Sequence, residues 1–249
     1  MGKKWAIVLA GGQGKRAGGG VPKQYKVIGD RPVLYYSLKA FTDAGVDGIL
    51  VAADSEHMQL VMGMIDDFAL DKVCTIFEGG EERLFSVARG LNELEGLRDN
   101  EGNLLAGEDD IVLIHDGVRP FAAPELINET AEAAALTGAA IAAMRSRDSI
   151  KISDEEGNIL AAPARELVWQ AQTPQAFKLG EISHAYKKVL RSDEIPAFTD
   201  DAGVYKYVFP KNAVRLVESP ATNMKITTPE DFAIAEALAK SMSLEERKA

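Results

Sequence analysis

WAIVLAGGQGKRAGGGVPKQY, residues 5–25, is the stretch whose reading decides the fold. Trp5 to Ala10 is a short apolar run that ends in glycines, which predicts a buried first strand. Six glycines follow within residues 10–25. In an open parallel sheet, ligands bind beyond the carboxyl ends of the strands. Glycines there let the backbone approach a ligand closely, and unpaired backbone N–H groups can hold phosphate oxygens. Arg16 and Lys23 add fixed positive charge to the same loop. A flexible glycine turn is the plain alternative, and the two cations weigh against it. The segment lacks the Gly-Lys-Ser/Thr of a GxxxxGK[ST] phosphate loop. It matches GxGxxG poorly as well, being too long and too basic.

Working outward, helical and strand-like segments alternate. Helices are expected at 32–44, with Pro32 near the start, and at His57–Phe68, Glu82–Leu94 and Pro124–Leu136. Strands are expected at Gly48–Ala53, Val73–Phe77, Asp110–His115 and Gly138–Met144. This rhythm predicts an α/β chain with a doubly wound, mainly parallel sheet and helices on both faces, forming one domain over residues 1–249. The rhythm breaks at Ser146–Trp169, where DEEGN lies between Ile150-Lys151-Ile152 and Ile159-Leu160. A β-arm protruding at about 146–169 fits this pattern, and so does an ordinary surface hairpin. Helix returns at Gly180–Leu190 and Pro229–Ala239, the latter capped by Thr228, and residues 240–249 read as a frayed polar tail.

Composition narrows the function classes. The 249 residues carry a net charge of −10, which excludes binding nucleic acid by general attraction to phosphate. An anion must be met by a local cluster of cations. No apolar run approaches the roughly 20 residues of a membrane helix. MGKKWAIVLAGG is too short in its apolar part for a secretory signal. Cys74 is the only cysteine, so there is no intrachain disulfide and no cysteine-based zinc site. Together these features lead us to expect a cytoplasmic protein with neither membrane nor nucleic-acid partners.

IHDGVRPF, residues 114–121, closes the fourth expected main strand. Asp116 falls where the strand runs out, so its carboxylate can face the crevice of the glycine loop. A hard carboxylate is the usual protein ligand for a Mg²⁺ ion, or another divalent cation, that also holds substrate phosphates. Arg119 is spaced to reach a second anion; a turn carboxylate paired with that arginine is the alternative. His115 reads as a packed strand residue and not as a base. In SPATNMKITTPED, residues 219–231, Lys225 would be unremarkable by itself.

Taken together, AGGQGKR with PKQY, GGEER with Ser86, HDGVRPF, QTPQAF (172–177), TDDAG (199–203) and NMKITTPEDFAIAEA resemble the 2-C-methyl-D-erythritol 4-phosphate cytidylyltransferase family of the non-mevalonate isoprenoid pathway. The resemblance runs from about residue 4 to about residue 240. It implies a Rossmann-like nucleotidyltransferase fold and a homodimer that exchanges the β-arm. It also implies that CTP and methylerythritol phosphate give CDP-methylerythritol and pyrophosphate. Arg16, Lys23 and Lys225 then match the catalytic cations on the phosphates. Ala10, Gly11, Gly12, Gly14, Gly79, Gly80, Ser86 and Asp116 match the nucleotide contacts, with Asp116 also near the metal. Arg119, Thr199 and the arm's Arg165 match contacts to the acceptor, Arg165 reaching the partner subunit's site. Three positions depart from the family pattern: Ala17 after the loop arginine, Leu84-Phe85 before Ser86, and Ala164 before Arg165. The first two leave the phosphate contacts untouched, and the third bears on the setting of Arg165.

Three other functions compete. A ribitol 5-phosphate cytidylyltransferase would share all but the acceptor pocket; Trp169 before QTPQ and PEDFAIAEA after Lys225 favour methylerythritol phosphate. A nucleotide-binding oxidoreductase needs an acidic residue about 20 residues past its glycine loop. Asp54 ends the second strand but lies too far along. A non-catalytic nucleotide sensor would not need the full set of charged groups.

Overall fold

The structure, a computed structural model, describes residues 2–12 and 21–246. Its centre is a seven-stranded sheet. In chain order the sheet strands are β1 (Lys4–Leu9), β4 (Gly48–Ala53), β5 (Val73–Glu78), β6 (Ile111–Asp116), β7 (Ala139–Arg145), β10 (Trp169–Lys178) and β11 (Arg215–Glu218). They lie in the order β11-β7-β10-β6-β1-β4-β5. Every neighbouring pair is parallel except those made by β10, which runs antiparallel to β6 and β7. The mainly parallel, doubly wound sheet read from the sequence is therefore the one observed.

Burial explains the strand sequences. All six residues of GILVAA and all six of IVLIHD are buried, as strands covered on both faces must be. Along β1 the side chains alternate. Ala6 and Val8 join a core with Leu34, Leu38 and Phe41 of helix α1 (Val33–Asp43). Trp5 and Ile7 join the opposite core with Leu91 of α3 (Arg83–Gly96) and Tyr186 of α5 (Leu179–Leu190). The first face is completed by α2 (Met58–Asp67) and α4 (Pro124–Thr137), the second by α6 (Asp201–Val208). Helix α4 ends where Gly138 takes φ 88° and its N–H reaches Ala134 O at 2.7 Å. A third cluster seats α7 (Pro229–Glu246) on the short hairpin β2 (Val27–Ile28) and β3 (Arg31–Pro32) through Ile28, Val33, Phe121, Ala235 and Ala239.

Four elements differ from expectation. The segment QTPQAF lies inside β10, in the middle of the sheet. Pro174 argues against a central strand, because proline offers no ladder N–H. The strand accommodates it through a register shift between Ala171 and Gln175. Helix α6 is only eight residues long with Gly203 inside, and β11 is a short polar edge strand, so neither carries a periodic signal. Residues 240–246 continue α7 where a frayed tail is expected. Lys, Met, Leu and Glu there are good helix formers despite the segment's polarity, and Lys240 pairs with Glu236 at 3.1 Å. At the other end of α7, the Asp231 carboxylate accepts the backbone N–H groups of Thr227 and Thr228 at 2.7 and 2.8 Å.

The expected hairpin is present. Strands β8 (Ile152–Ser153) and β9 (Ile159–Ala161) pair antiparallel, and Gly157 turns with φ 89°. The hairpin leaves the sheet after β7 and returns through β10. Its base is closed by Ser146 N–H on Val168 O at 2.9 Å and by Arg145 over the Trp169 ring at 4.2 Å.

Candidate active site

The carboxyl ends of β1, β4 and β6 meet at one rim of the sheet, where the chain leaves β1 toward β4 on one side and returns later to β6 on the other. Ligands bind at such a switch point in open α/β sheets. A cavity of about 210 Å³ opens there, walled by Ala10, Gly11 and Gly12, by Gly80 to Arg83 and Ser86, and by Lys23, Asp116 and Lys225. Gln24 anchors the loop base: its Nε2 donates to Ala10 O at 2.6 Å and to Gly12 O at 3.0 Å. Tyr25 adds a hydroxyl donor to Ala10 O at 3.1 Å. The sequence thus uses PKQY to pin the start of the glycine loop against β1. Arg16 and Gly14 lie outside the described residues.

On the opposite wall, Gly79 and Gly80 bring backbone close to the start of α3. A Cβ on Gly79 would meet Ser86 Oγ at 3.2 Å, and one on Gly80 would strike Phe85 and its backbone. The Gly80 N–H donates to Ser86 Oγ at 2.9 Å. The glycines therefore let the backbone and the Ser86 hydroxyl pack closely at the cavity wall without side-chain bulk.

Asp116 is the electrostatic centre. Its Oδ2 lies 2.9 Å from Lys225 Nζ and 3.5 Å from Arg119 Nε, and its Oδ1 lies 3.6 Å from Arg83 Nε. Burial disfavours the ionised carboxylate, but Lys225, Arg83 and Arg119 outweigh it and hold its pKa well below the usual carboxylate range. Arg83 in turn grips Asp201 with both terminal nitrogens, at 2.7 and 2.6 Å. Burial alone would lower the Arg83 pKa; Asp201 reverses this and raises it. Three cations thus face two carboxylates, and Lys23 adds a fourth cation, in a molecule of net charge −10.

Behind Asp116 the backbone is fixed by a polar relay. His115 is fully buried, and burial lowers its pKa to about 4, so the ring is neutral. Its Nε2 faces Arg119 O at 3.1 Å and must carry the proton there. Nδ1 therefore accepts from the Thr173 hydroxyl at 3.1 Å, and Thr173 Oγ1 accepts the Asp116 N–H at 3.0 Å. His115 is a packed strand residue, as its sequence context indicates.

The other expected site residues are placed differently. Lys23 Nζ donates to Ile226 O at 2.8 Å, which ties the glycine-loop segment to the Lys225 segment. Arg119 is buried and donates through Nη1 to Asn223 O at 2.9 Å, so it backs Asp116 and does not wall the cavity. Thr199 is exposed on the approach to α6, next to Asp200, whose side chain caps that helix through the Gly203 N–H. Arg165 is exposed on the arm, with Nη1 3.4 Å from Arg147 O, and does not wall this chain's cavity. Among the described residues, the group of His and acidic side chains close enough to share an ion is Asp54, Glu56 and His57. Asp116 is not part of it, and there His57 Nδ1 already pairs with Asp54 at 2.5 Å.

Sequence reading missed Arg83, Asp201, Tyr186, Thr173 and Asn223 as individuals. Four of the five lie in or beside the quoted segments; only their pairing across the fold gives them meaning. Asn223, buried between QTPQ and the Lys225 loop, donates to Thr173 O at 3.0 Å.

The family model described as 2-C-methyl-D-erythritol 4-phosphate cytidylyltransferase matches residues 5–241. The enzyme of that name from Lachnoclostridium phytofermentans is 39% identical over 96% of this chain and 97% of its own. The one from Geobacter metallireducens is 37% identical over 95% and 97%. Among solved structures, 4-diphosphocytidyl-2C-methyl-D-erythritol synthase from Anaerococcus prevotii superposes with a TM-score of 0.79 at 29% identity, covering 96% of each chain. The Thermus thermophilus cytidylyltransferase gives a TM-score of 0.68 at 30% identity, over 94% of this chain and 98% of its own. With nearly the whole length matched in sequence and in fold, the chain belongs to the 2-C-methyl-D-erythritol 4-phosphate cytidylyltransferase family.

Proposed function

We propose that this protein transfers the cytidylyl group of CTP to 2-C-methyl-D-erythritol 4-phosphate, releasing pyrophosphate. The observation that carries this reading is the convergence of Lys225, Arg83 and Arg119 on Asp116 at the glycine-walled cavity. A phosphate oxygen of the acceptor attacks the α-phosphorus of CTP. A new P–O bond forms there, the bond to the bridging α,β oxygen breaks, and its electron pair leaves with pyrophosphate. The nucleophile is ionised at neutral pH, so no general base is required, which agrees with the neutral, enclosed His115.

Catalysis is then a matter of bringing two anions together and stabilising the charge that moves to the leaving group. Lys23 and Lys225, with Arg16 from the glycine loop, bind the phosphates. Ala10 to Gly12, Gly79, Gly80 and Ser86 receive the nucleoside. Mg²⁺ binds few protein ligands when phosphates supply the rest, so one ionised carboxylate suits it, and Asp116 would hold it. When bound, the ion neutralises phosphate charge. The acceptor is held by Thr199 and by Arg165 of a second copy, while the buried Arg119, matched by the family resemblance to an acceptor contact, acts from behind Asp116. The arm supports this homodimer: Ile159, Leu160 and Leu167 are 65%, 67% and 77% exposed, more apolar surface than a short solvated hairpin needs. No helix among the described residues is long and apolar enough to cross a membrane, and a reaction that draws on CTP suits a protein of the cytoplasm.

The decisive experiment measures pyrophosphate release with each of the four nucleoside triphosphates against methylerythritol 4-phosphate and ribitol 5-phosphate. Turnover should require CTP and methylerythritol phosphate. Preference for ribitol phosphate would reassign the acceptor, and absence of CTP-dependent release would reject the reading.

A further inference from the structure

Arg83 is not among the phosphate or acceptor contacts proposed above, yet it is firmly anchored on the cavity wall. Its Nη1 and Nη2 meet the two oxygens of Asp201 at 2.7 and 2.6 Å. Asp201 is fully buried and also accepts the Tyr186 hydroxyl at 2.6 Å. A buried carboxylate stripped of its cation is strongly destabilised. Arg83 therefore cannot swing away to follow an incoming anion. Its remaining donor edge, Nε, points toward Asp116 Oδ1 at 3.6 Å.

Lys225 is differently placed. It approaches the other oxygen of Asp116 at 2.9 Å, and its side chain is 40% exposed against 29% for Arg83. A triphosphate entering the cavity competes with Asp116 for this ammonium. Once Lys225 moves to the phosphates, Asp116 loses its nearest cation. Its Oδ2 then keeps the buried Arg119 at 3.5 Å, and its Oδ1 stays aimed only if a cation that cannot move faces it as well.

We infer that Arg83 is a positioning residue for cytidylyl transfer, with Asp201 and Tyr186 clamping its guanidinium so that Asp116 keeps its orientation while Lys225 serves the phosphates. The clamp joins three elements. Arg83 opens α3 on the nucleotide side, Asp201 opens α6 beside the TDDAG segment, and Tyr186 lies on α5. The fork-to-carboxylate geometry requires arginine, since a lysine ammonium cannot meet both oxygens of Asp201 and still present an edge to Asp116.

This inference rests on the cytidylyltransferase reading, so the test begins with wild-type pyrophosphate release from CTP and the acceptor. Arg83→Gln, Arg83→Lys, Tyr186→Phe and the Arg83→Gln/Tyr186→Phe double variant are then compared. Steady-state kinetics are paired with calorimetric titration of CTP in the absence of acceptor. Both Arg83 variants should lose about 10–100-fold in kcat, the usual cost of removing a group that orients a functional ligand, while CTP affinity stays within about threefold of wild type. Tyr186→Phe, which is nearly isosteric and keeps the test alive should the arginine variants fold poorly, should lower kcat by a smaller factor. It should cost nothing further in the Arg83→Gln background, because the two residues act as one unit. A CTP affinity that falls in step with kcat would make Arg83 a direct nucleotide ligand and overturn the inference. Full recovery by Arg83→Lys, independent multiplying effects, or unchanged kcat would overturn it as well. An inactive wild-type enzyme would instead reject the cytidylyltransferase reading, and the inference with it.

Discussion

Lys225 and Asp116, distant in sequence, meet at 2.9 Å because one backbone hydrogen bond and one from the Arg119 side chain bring their loops together. The Ile226 N–H donates to Val118 O at 2.9 Å, and Arg119 Nη1 donates to Asn223 O at 2.9 Å. Lys23 joins the same junction through Ile226 O. The Lys225 segment is thus held in place without help from the Lys225 side chain. Removing one side chain should leave the scaffold standing.

That separation gives a kinetic expectation. Lys225→Ala and Lys23→Ala should each lower kcat by about 10²–10³, the usual worth of one charge-stabilising contact made in the transition state. Thermal unfolding should be little changed for Lys225→Ala and lowered modestly for Lys23→Ala, which loses one hydrogen bond to Ile226 O. Near-wild-type turnover in either variant would remove that lysine from the mechanism.

The neutral His115 gives a pH expectation. Its folded pKa of about 4 lies below the ordinary 6.5. Between those values the unfolded chain binds a proton at this ring and the folded chain does not. Stability from this group is therefore fully present above pH 6.5 and is lost as the pH falls toward about 4. Over that span the loss amounts to about 3 kcal/mol at roughly 1.4 kcal/mol per pKa unit. Asp116, whose pKa is also lowered in the fold, adds its own loss only below the carboxylate value of 3.8. Urea midpoints at pH 7 and pH 4.5 measure the change, and proton NMR of the three histidine rings identifies its source. A His115 ring titrating near 6.5 would refute the neutral relay to Thr173.

The metal expectation concerns Asp116. Chelation should stop turnover and added Mg²⁺ should restore it. Asp116→Asn should cost about 10²–10³ in kcat/KM and raise the Mg²⁺ concentration needed for half activity. Activity untouched by chelator would remove the ion from the reaction.

How much of this could be read in the sequence depends on the kind of signal. Strands such as GILVAA announce themselves because both faces are buried, and Asp116 is legible because it sits where such a strand ends. Arg83 is different. Its neighbours in sequence say only that a helix begins, and its role depends on Asp201, which opens a helix too short to show a period. Thr173 is hidden for another reason. It lies beside a proline that argues against a strand, and only the register shift at Ala171/Gln175 turns it toward His115 and Asp116. Local pattern reveals elements, while polar pairs between elements need the fold.

The arm provides the final expectation. Arg165 is exposed, stands on the hairpin and does not wall its own chain's cavity, so its proposed acceptor contact needs a second copy. Arg165→Ala should raise the acceptor KM and leave the CTP KM unchanged. Lys225→Ala should disable the cavity while leaving its arm intact. In a two-fold dimer each site would draw its cavity from one chain and its arm from the other. A heterodimer of the two variants then has one site with both defects and one with neither. Random reassortment of an equal mixture makes about half the dimers mixed, so with acceptor held well below the raised KM of the Arg165→Ala variant, where both parents turn over slowly, about a quarter of wild-type activity should return. Sedimentation should show the dimer, and charged replacements at Leu160 and Leu167 should dissociate it. No recovery on mixing, in a preparation shown to exchange subunits, would return Arg165 to the role of an ordinary surface arginine.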